Sequence, residues 1–540
     1  MYFVDILLDF SRFEIELSGP QTPFFRHLNT PILVVFSVFA KRSEVVNGNA
    51  VDFRSGKNGF APIFLGGRKE DLAISVSSCL YCGILIWMRS SFFLLFPFSG
   101  LRCFCLIRKA VCFTLLCQKR IFAMKVRDGL TEKGASVPFA AQMPSMTTVN
   151  DHVFWVGYVD WTVRDFHGYK TTDGSTYNSY LVKDRQIAVI DAVKAPYVQE
   201  LIKHIQEVAD LASVNWIVVN HAEPDHAGGV PELVKALPNA TVVCNDKCKD
   251  ALSHHFDTTG WKWKVVKEAE TLSLGTKTLQ FFNTPMVHWP ESMATYLVED
   301  KILFSMDAFG QHMASSERFD DQLPLSTILE HAKTYYANIV QLYGRPVQAA
   351  LAKLGKLPID VICPSHGIIW RSHISDILAQ YVRWAVTAPV KKVVVFFTSM
   401  WGSTRQMAHE IVRGAQTVPG VEVKLIDIDA THDTTTVTEL MDCASFACGT
   451  PTLNIGMMPS MARTLTYVKG LRPQGKKGFA FGSFGWAEKG ATAAEAMLAE
   501  WGAERIRPPL TVRFRPDSNV LAECFEAGKQ LAEIAAAVQA

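Results

Sequence analysis

Between residues 153 and 190, apolar and polar positions alternate and are broken at Gly, Asp and Asn, the period-two signature of antiparallel strands. Within that stretch Ile187-Ala188-Val189-Ile190 is wholly apolar and ends at Asp191, as a short buried strand does. Residues 196–211 space their apolar positions at helical intervals. A strand follows at 216–220 with His221 just past its end, then a short helix at 231–237 and a strand at 241–244. Residues 278–283, 294–298 and 301–304 read as further strands. A helical stretch begins near Ser326, after the Asp320-Asp321 loop, and runs to Tyr343. Residues 361–364 form a strand leading into Ser365-His366-Gly367. Strands and helices in turn, with polar residues at strand ends, predict a layered α/β sandwich.

The pattern changes at Ala388-Pro389, where proline ends the preceding helix. Lys392-Val393-Val394-Val395-Phe396-Phe397 is the continuous apolar run of a parallel strand buried on both faces. A Ser/Gly/Thr loop and an amphipathic helix at 405–414 follow it. Strands are expected at 421–426, 444–447 and 478–481, with helices at 460–469 and 491–502. Residues 389–540 thus read as a doubly wound parallel sheet. No internal repeat is visible.

Composition adds one complication. The chain has 540 residues, nearly half of them apolar, enough for several well-filled domains. A net charge of +2 makes no electrostatic case for nucleic acid or a membrane surface. Residues 1–123, however, hold 17 of the 34 Phe and 6 of the 12 Cys. The apolar runs at 72–88 and 92–101 are marginal and too short, respectively, for a spanning helix. Asp5, Asp9, Glu14 and Glu16 argue against a secretory or transit peptide. Cys79 and Cys82 have C-x-x-C spacing without a second pair. Residues 1–142 are therefore treated as an extension of unknown role, with Met124 and Met143 as alternative starts. A cytoplasmic location is expected, with association to a membrane or organelle through the extension left open.

The chemistry concentrates at strand ends. His221-Ala222-Glu223-Pro224-Asp225-His226 puts four metal-capable side chains into six residues, and His288, Asp307 and His366 each lie at or near the end of another predicted strand. A loop-borne H-x-E-x-D-H can aim alternate side chains into one pocket, and its two carboxylates and adjacent histidine can serve two ions. Turn residues held by local hydrogen bonds are the bland alternative. Four separate segments each ending in a ligand type weigh against it.

A second constellation lies in the doubly wound part. Thr398-Ser399-Met400-Trp401-Gly402-Ser403-Thr404 joins a buried strand to a helix in an S-x-x-G-x-T pattern. Its hydroxyls and helix-start N–H groups suit a phosphate monoester, and Gly402 permits close backbone approach. Pro451-Thr452-Leu453-Asn454 and Ser483-Phe484-Gly485-Trp486 follow two further strands, and such loops meet at the carboxyl edge of the sheet. Trp401 and Trp486 can flank a planar ring.

These residues resemble those of the flavodiiron proteins. His221-x-Glu223-x-Asp225-His226, with His288, Asp307 and His366, is similar to the metallo-β-lactamase site, but with Glu223 where hydrolytic relatives usually carry histidine. The harder, anionic set suits iron. The resemblance implies an αββα sandwich at 143–388 and a flavodoxin-like FMN domain at 389–540. It implies one iron on His221, Glu223, His288 and Asp307, another on Asp225, Asp307 and His366, and Asp307 between them. His226 matches a position that is not a ligand in every member and stays open. Segments around His167, Trp289 and Tyr336 also look like family segments, and His167 and Tyr336 are candidate catalytic groups of the pocket. The implied activity is reduction of oxygen to water, or of nitric oxide to nitrous oxide, with electrons relayed through FMN. The implied donor is separate, such as a rubredoxin, a ferredoxin or an NAD(P)H-dependent reductase, and the implied assembly is a head-to-tail homodimer or a homotetramer. The competing readings are a two-zinc hydrolase fused to a flavodoxin-like module, and an electron carrier alone.

Overall fold

The computed structural model describes residues 146–539 in full and, ahead of them, only the backbone of short strands between Tyr2 and Phe98. The side chains of the N-terminal apolar runs and the Cys79/Cys82 pair lie outside the described residues.

Two sheets face each other in the first half. One has seven strands, in the order Trp263–Val265, Thr241–Cys244, Val214–Val218, Ile187–Ile190, Tyr180–Lys183, Val153–Trp155 and Thr147–Thr148. Its first four strands run parallel and the rest antiparallel. The other has five strands, Thr271–Ser273, Thr278–Asn283, Met293–Leu297, Ile302–Met306 and Val361–Pro364. Trp155, Tyr180, Val218, Phe281, Phe304 and Cys363 fill the space between the sheets. The outer face of the first sheet is covered by the helices Val198–Val208, Val230–Ala236 and Asp246–His255. The first of these turns Val198, Leu201, His204 and Ile205 inward, the spacing of one helical face. Leu325–Tyr335, Gly344–Leu354 and Ile374–Trp384 cover the second sheet. The result is the four-layered αββα sandwich.

The second half is a parallel sheet in the order Glu422–Asp427, Lys392–Phe397, Ser445–Gly449, Lys477–Phe484, ending at Glu504–Arg505 and Leu510–Arg513. Strand order reverses at Lys392–Phe397, so a crevice opens between the loops after that strand and after Ser445–Gly449. One apolar cluster runs without a break from Tyr336, Tyr381 and Trp384 into Phe396, Ile426 and Phe446, so the two halves share a core. No helix among the described residues is long and apolar enough to cross a membrane.

Three elements depart from the expected pattern. The helix from Ser326 does not run evenly to Tyr343: Leu325–Tyr335 is α-helical, Tyr336–Val340 is π-helical and Gln341–Tyr343 is a 3-10 turn. The helices Asp433–Met441 and Ser518–Ala536 were not expected from the pattern, although His432 and Asp517 cap their first turns and the second buries Cys524, Ala527, Leu531 and Ala535 on one face.

Candidate functional site

The candidate ligands lie in the segments that follow strand ends, on loops and on one short helix. Asp191, in the left-handed region with φ 57°, accepts hydrogen bonds from the backbone N–H and the side-chain amide of Asn220. That clamp orients the loop carrying His221. Glu223 is the N-cap of the short helix Pro224–Ala227, whose first turn presents Asp225 and His226. Asp307 follows Met306, which has φ 60°, and His366 precedes Gly367, which has φ 78°.

The structure brings these side chains into two adjoining groups. His221, Glu223, His288 and Asp307 form one, and Asp225, His226 and His366 the other, with the ligand atoms of each group within 4.8 Å of one another. In the first group Glu223 Oε2 lies 3.1 Å from His288 Nε2 and 3.3 Å from His221 Nε2, and Asp307 Oδ2 lies 3.3 and 3.4 Å from the same two nitrogens. In the second, Asp225 Oδ2 lies 3.2 Å from His366 Nε2 and 3.3 Å from His226 Nε2. Asp307 turns its other oxygen, Oδ1, toward that group, 3.2 Å from His226 and 3.7 Å from His366. One carboxylate therefore presents a separate oxygen to each group. His226, left open by the sequence, stands inside the second group.

The groups fit a pair of cations. Asp225 Oδ1, Asp307 Oδ2 and both ring nitrogens of His226 are buried without a hydrogen-bond partner. Three carboxylates converge in a nearly dry pocket, an arrangement that is costly unless positive charge sits among them. Burial disfavours charge on His288, yet the neighbouring Asp307 and Glu223 carboxylates outweigh it and push its pKa up to about 9. Imidazole nitrogens mixed with hard carboxylate oxygens are the donor set of iron rather than of a thiolate-bound metal.

The outer contacts are specific. His221 Nδ1–H donates to Glu291 at 2.7 Å, and His366 Nδ1–H donates to the Thr176 carbonyl at 2.5 Å. His167, on a hairpin tip with φ 52°, reaches Glu223 Oε1 at 3.0 Å and stands at the rim of the pocket. Tyr336 does not reach the site. Its ring packs on Tyr381 and Trp384, and its hydroxyl is buried without a partner. The residue before it, Tyr335, faces the centre, with its ring 5.0 Å from that of His312 and 5.9 Å from that of His366. The π-helical turn that starts at Tyr336 shifts the phase of the helix. Burial, and then the Asp307 charge, hold the Tyr335 phenol well above its ordinary pKa. Glu291, His312 and Tyr335 were missed in the sequence, although Glu291 lies three residues after His288 and His312 five after Asp307.

A second site opens at the crevice of the parallel sheet. Met400, Trp401, Ser403, Pro451, Thr452, Leu453, Asn454, Ser483, Phe484, Gly485 and Trp486 line a cleft of about 940 Å³, joined by Ile455, Ala487, Phe514 and Arg515. Trp401 and Trp486 stand 94% and 88% exposed at its rim, placed as flanks for a flat ring. Gly402 has φ 89°, and the helix Ser403–Ala415 starts directly after it, with its first-turn N–H groups at the cleft. The remaining loop residues brace the loop from within. Thr398 donates to Asp429, Ser399 Oγ accepts from the Gly402 N–H, Gly402 itself makes the turn, and Thr404 is buried beside Ser483. A phosphate and a planar ring fit this cleft.

Comparison with known proteins agrees with both sites. Residues 176–367 match the family described as ODP family beta lactamase, and residues 395–528 match flavodoxin. A nitric oxide reductase of Moorella thermoacetica is 38% identical over 395 residues, covering 72% of this chain and 99% of that protein. The solved rubredoxin oxygen:oxidoreductase of Desulfovibrio gigas superposes with a TM-score of 0.71 at 38% identity, covering 73% of this chain and 99% of that one. The flavodiiron protein of Giardia intestinalis superposes at 0.69 with 35% identity, covering 76% and 98%. A histidine- and carboxylate-rich double pocket in an αββα sandwich, joined to a flavodoxin domain, thus makes this chain a member of the flavodiiron family.

Proposed function

We propose that the protein reduces molecular oxygen or nitric oxide at a di-iron centre held by His221, Glu223, Asp225, His226, His288, Asp307 and His366, with electrons passed through FMN. The observation that carries this reading is Asp307, whose two oxygens face two separate buried groups. When bound, the irons and the flavin supply the redox chemistry, and the protein supplies geometry and electrostatics. Glu291 fixes the tautomer of His221, and Thr176 that of His366, so both rings keep Nε2 free for a metal. His167 occupies one Glu223 oxygen and leaves the other for the pocket. Tyr335 keeps its phenolic proton beside Asp307, a source of hydrogen bonding to a small bound gas.

The same reading assigns residues 143–388 to the iron domain and 389–540 to the flavin domain. It requires an external electron donor, a rubredoxin, a ferredoxin or an NAD(P)H-dependent reductase. A head-to-tail homodimer or homotetramer would set the exposed Trp401 and Trp486 of one copy against the metal pocket of another and shorten electron transfer. The six described cysteines are all unpaired and buried, which fits a reducing cytoplasm.

Metal analysis of the purified protein should find about two irons per chain, and stopped-flow mixing of the anaerobically reduced protein with each gas should show rapid flavin reoxidation. Zinc without iron would support the hydrolase reading. Reoxidation indifferent to Asp307→Ala would leave only an electron carrier.

A further inference from the structure

The two halves of the metal pocket are supported differently. On one side His221 donates to a carboxylate, Glu291, which pushes electron density into the ring. On the other, His366 donates to a neutral acceptor, the Thr176 carbonyl, and that carbonyl is itself the end of a buried chain. Ser175 Oγ–H also donates to the Thr176 carbonyl, at 3.2 Å. Ser175 Oγ lies 2.7 Å from His312 Nδ1, and His312 Nε2 lies 2.7 Å from the Tyr169 hydroxyl. All four residues are buried.

Pairing every donor leaves one direction for this chain. Ser175 has a single proton and gives it to the carbonyl, so its oxygen accepts from His312 Nδ1–H. His312 Nε2 then accepts from the Tyr169 hydroxyl, which has no other acceptor among the described residues. In the reverse direction the Tyr169 proton is left with no acceptor in a buried site, which costs free energy. Each donor in a run of this kind polarises the next. The Ser175 O–H therefore competes with His366 for the lone pairs of the Thr176 carbonyl, and the competition is strengthened by His312 and Tyr169 behind it.

We propose that the run Tyr169, His312, Ser175 and Thr176 limits the donor strength of His366 and so makes the two irons inequivalent, with the higher reduction potential on the His366 side. None of the three side chains behind Thr176 is a metal ligand; they act as positioning residues through one carbonyl. The proposal rests on the di-iron reading, and the two fail separately. A protein without iron sinks both, whereas a two-iron protein with the wrong response sinks this one alone.

The test is a reductive titration of the iron-loaded full chain, followed by the EPR signal of the mixed-valence state, which resolves two one-electron steps. Glu291→Gln identifies the step belonging to the His221 side. Ser175→Ala removes the competing donor with little change of volume. It should move the other step, raising the preference of that iron for the ferric state about three- to tenfold, at or just below the lower limit of the roughly 10- to 100-fold that outer-shell partners command. Tenfold corresponds to about 59 mV for one electron. Tyr169→Phe should move the same step in the same direction by less, and it decides the matter if Ser175→Ala loses iron or fold. A Ser175→Ala protein with both steps unmoved, with the Glu291 step moved, or with a raised potential overturns the proposal.

Discussion

Asp307 is buried between two histidine groups and offers one oxygen to each, so in the proposed di-iron reading its loss would strip a ligand from both metals at once. Asp307→Ala is expected to bring iron below half of the wild-type content and to slow gas-dependent flavin reoxidation more than about a hundredfold, since even outer-shell partners command 10- to 100-fold. Elemental analysis and stopped-flow absorbance check both. The neighbouring tyrosines separate cleanly. The Tyr336 hydroxyl is buried without a partner, so Tyr336→Phe should be neutral or stabilising by up to about 1 kcal/mol in a denaturant melt, with activity unchanged. Tyr335→Phe, beside Asp307, should change the gas reaction and leave stability nearly unaltered. At this scale the sequence was most informative for ligands, because charged and imidazole groups at strand ends have few other uses. It did not reveal Glu291 or His312, whose roles depend on which ring nitrogen meets them.

Elements are where local pattern and packing diverge. The strands after which ligands sit were legible because apolar runs end abruptly at polar residues. The π-helical turn at Tyr336 was not, since one extra residue per turn leaves the apolar spacing almost unchanged while rotating every later side chain. The helix crossing behind the phosphate loop was equally hidden. Gly414 of Ser403–Ala415 and Gly528 of Ser518–Ala536 pack against each other's helices, and a Cβ added to Gly528 would lie 1.8 Å from the Ile411 carbonyl oxygen. Gly528→Ala must push the helices apart, with an expected cost of about 3 kcal/mol. Because Ser403–Ala415 begins at the phosphate end of the cleft, the same variant should release FMN more readily, as read by flavin fluorescence on dilution.

Across the whole molecule the two halves are tied by buried charge as well as by a shared core. Lys392 is almost fully buried and pairs with Glu439 at 2.7 Å and with Asp442, while Lys333 from the αββα half reaches Asp442 at 2.7 Å. Burial alone would raise the Asp442 carboxyl pKa, but the two lysines outweigh it and hold it below the ordinary carboxylate range. A lowered folded-state pKa stabilises the fold above the unfolded-state value near pH 4 and is lost as pH falls through the folded one. Wild-type stability should therefore fall steeply below about pH 4, and Asp442→Asn should flatten that part of the curve. At pH 7 the same variant should lose about 3 kcal/mol, because it leaves buried ammonium groups undercompensated. Urea melts across pH 2 to 7 check both.

The amino-acid order by itself determined a layered α/β sandwich followed by a doubly wound sheet, the ligand types and the strand-to-helix loop of the second half. Hydrophobic periodicity and residue chemistry are local properties and survive without a partner. Only the tertiary structure decided that Asp307 faces both groups, that His226 joins the second, that Tyr335 rather than Tyr336 looks into the pocket, and that His366 rests on a chain ending at Tyr169. Those facts depend on distances between segments as many as 190 residues apart, and no local pattern encodes them.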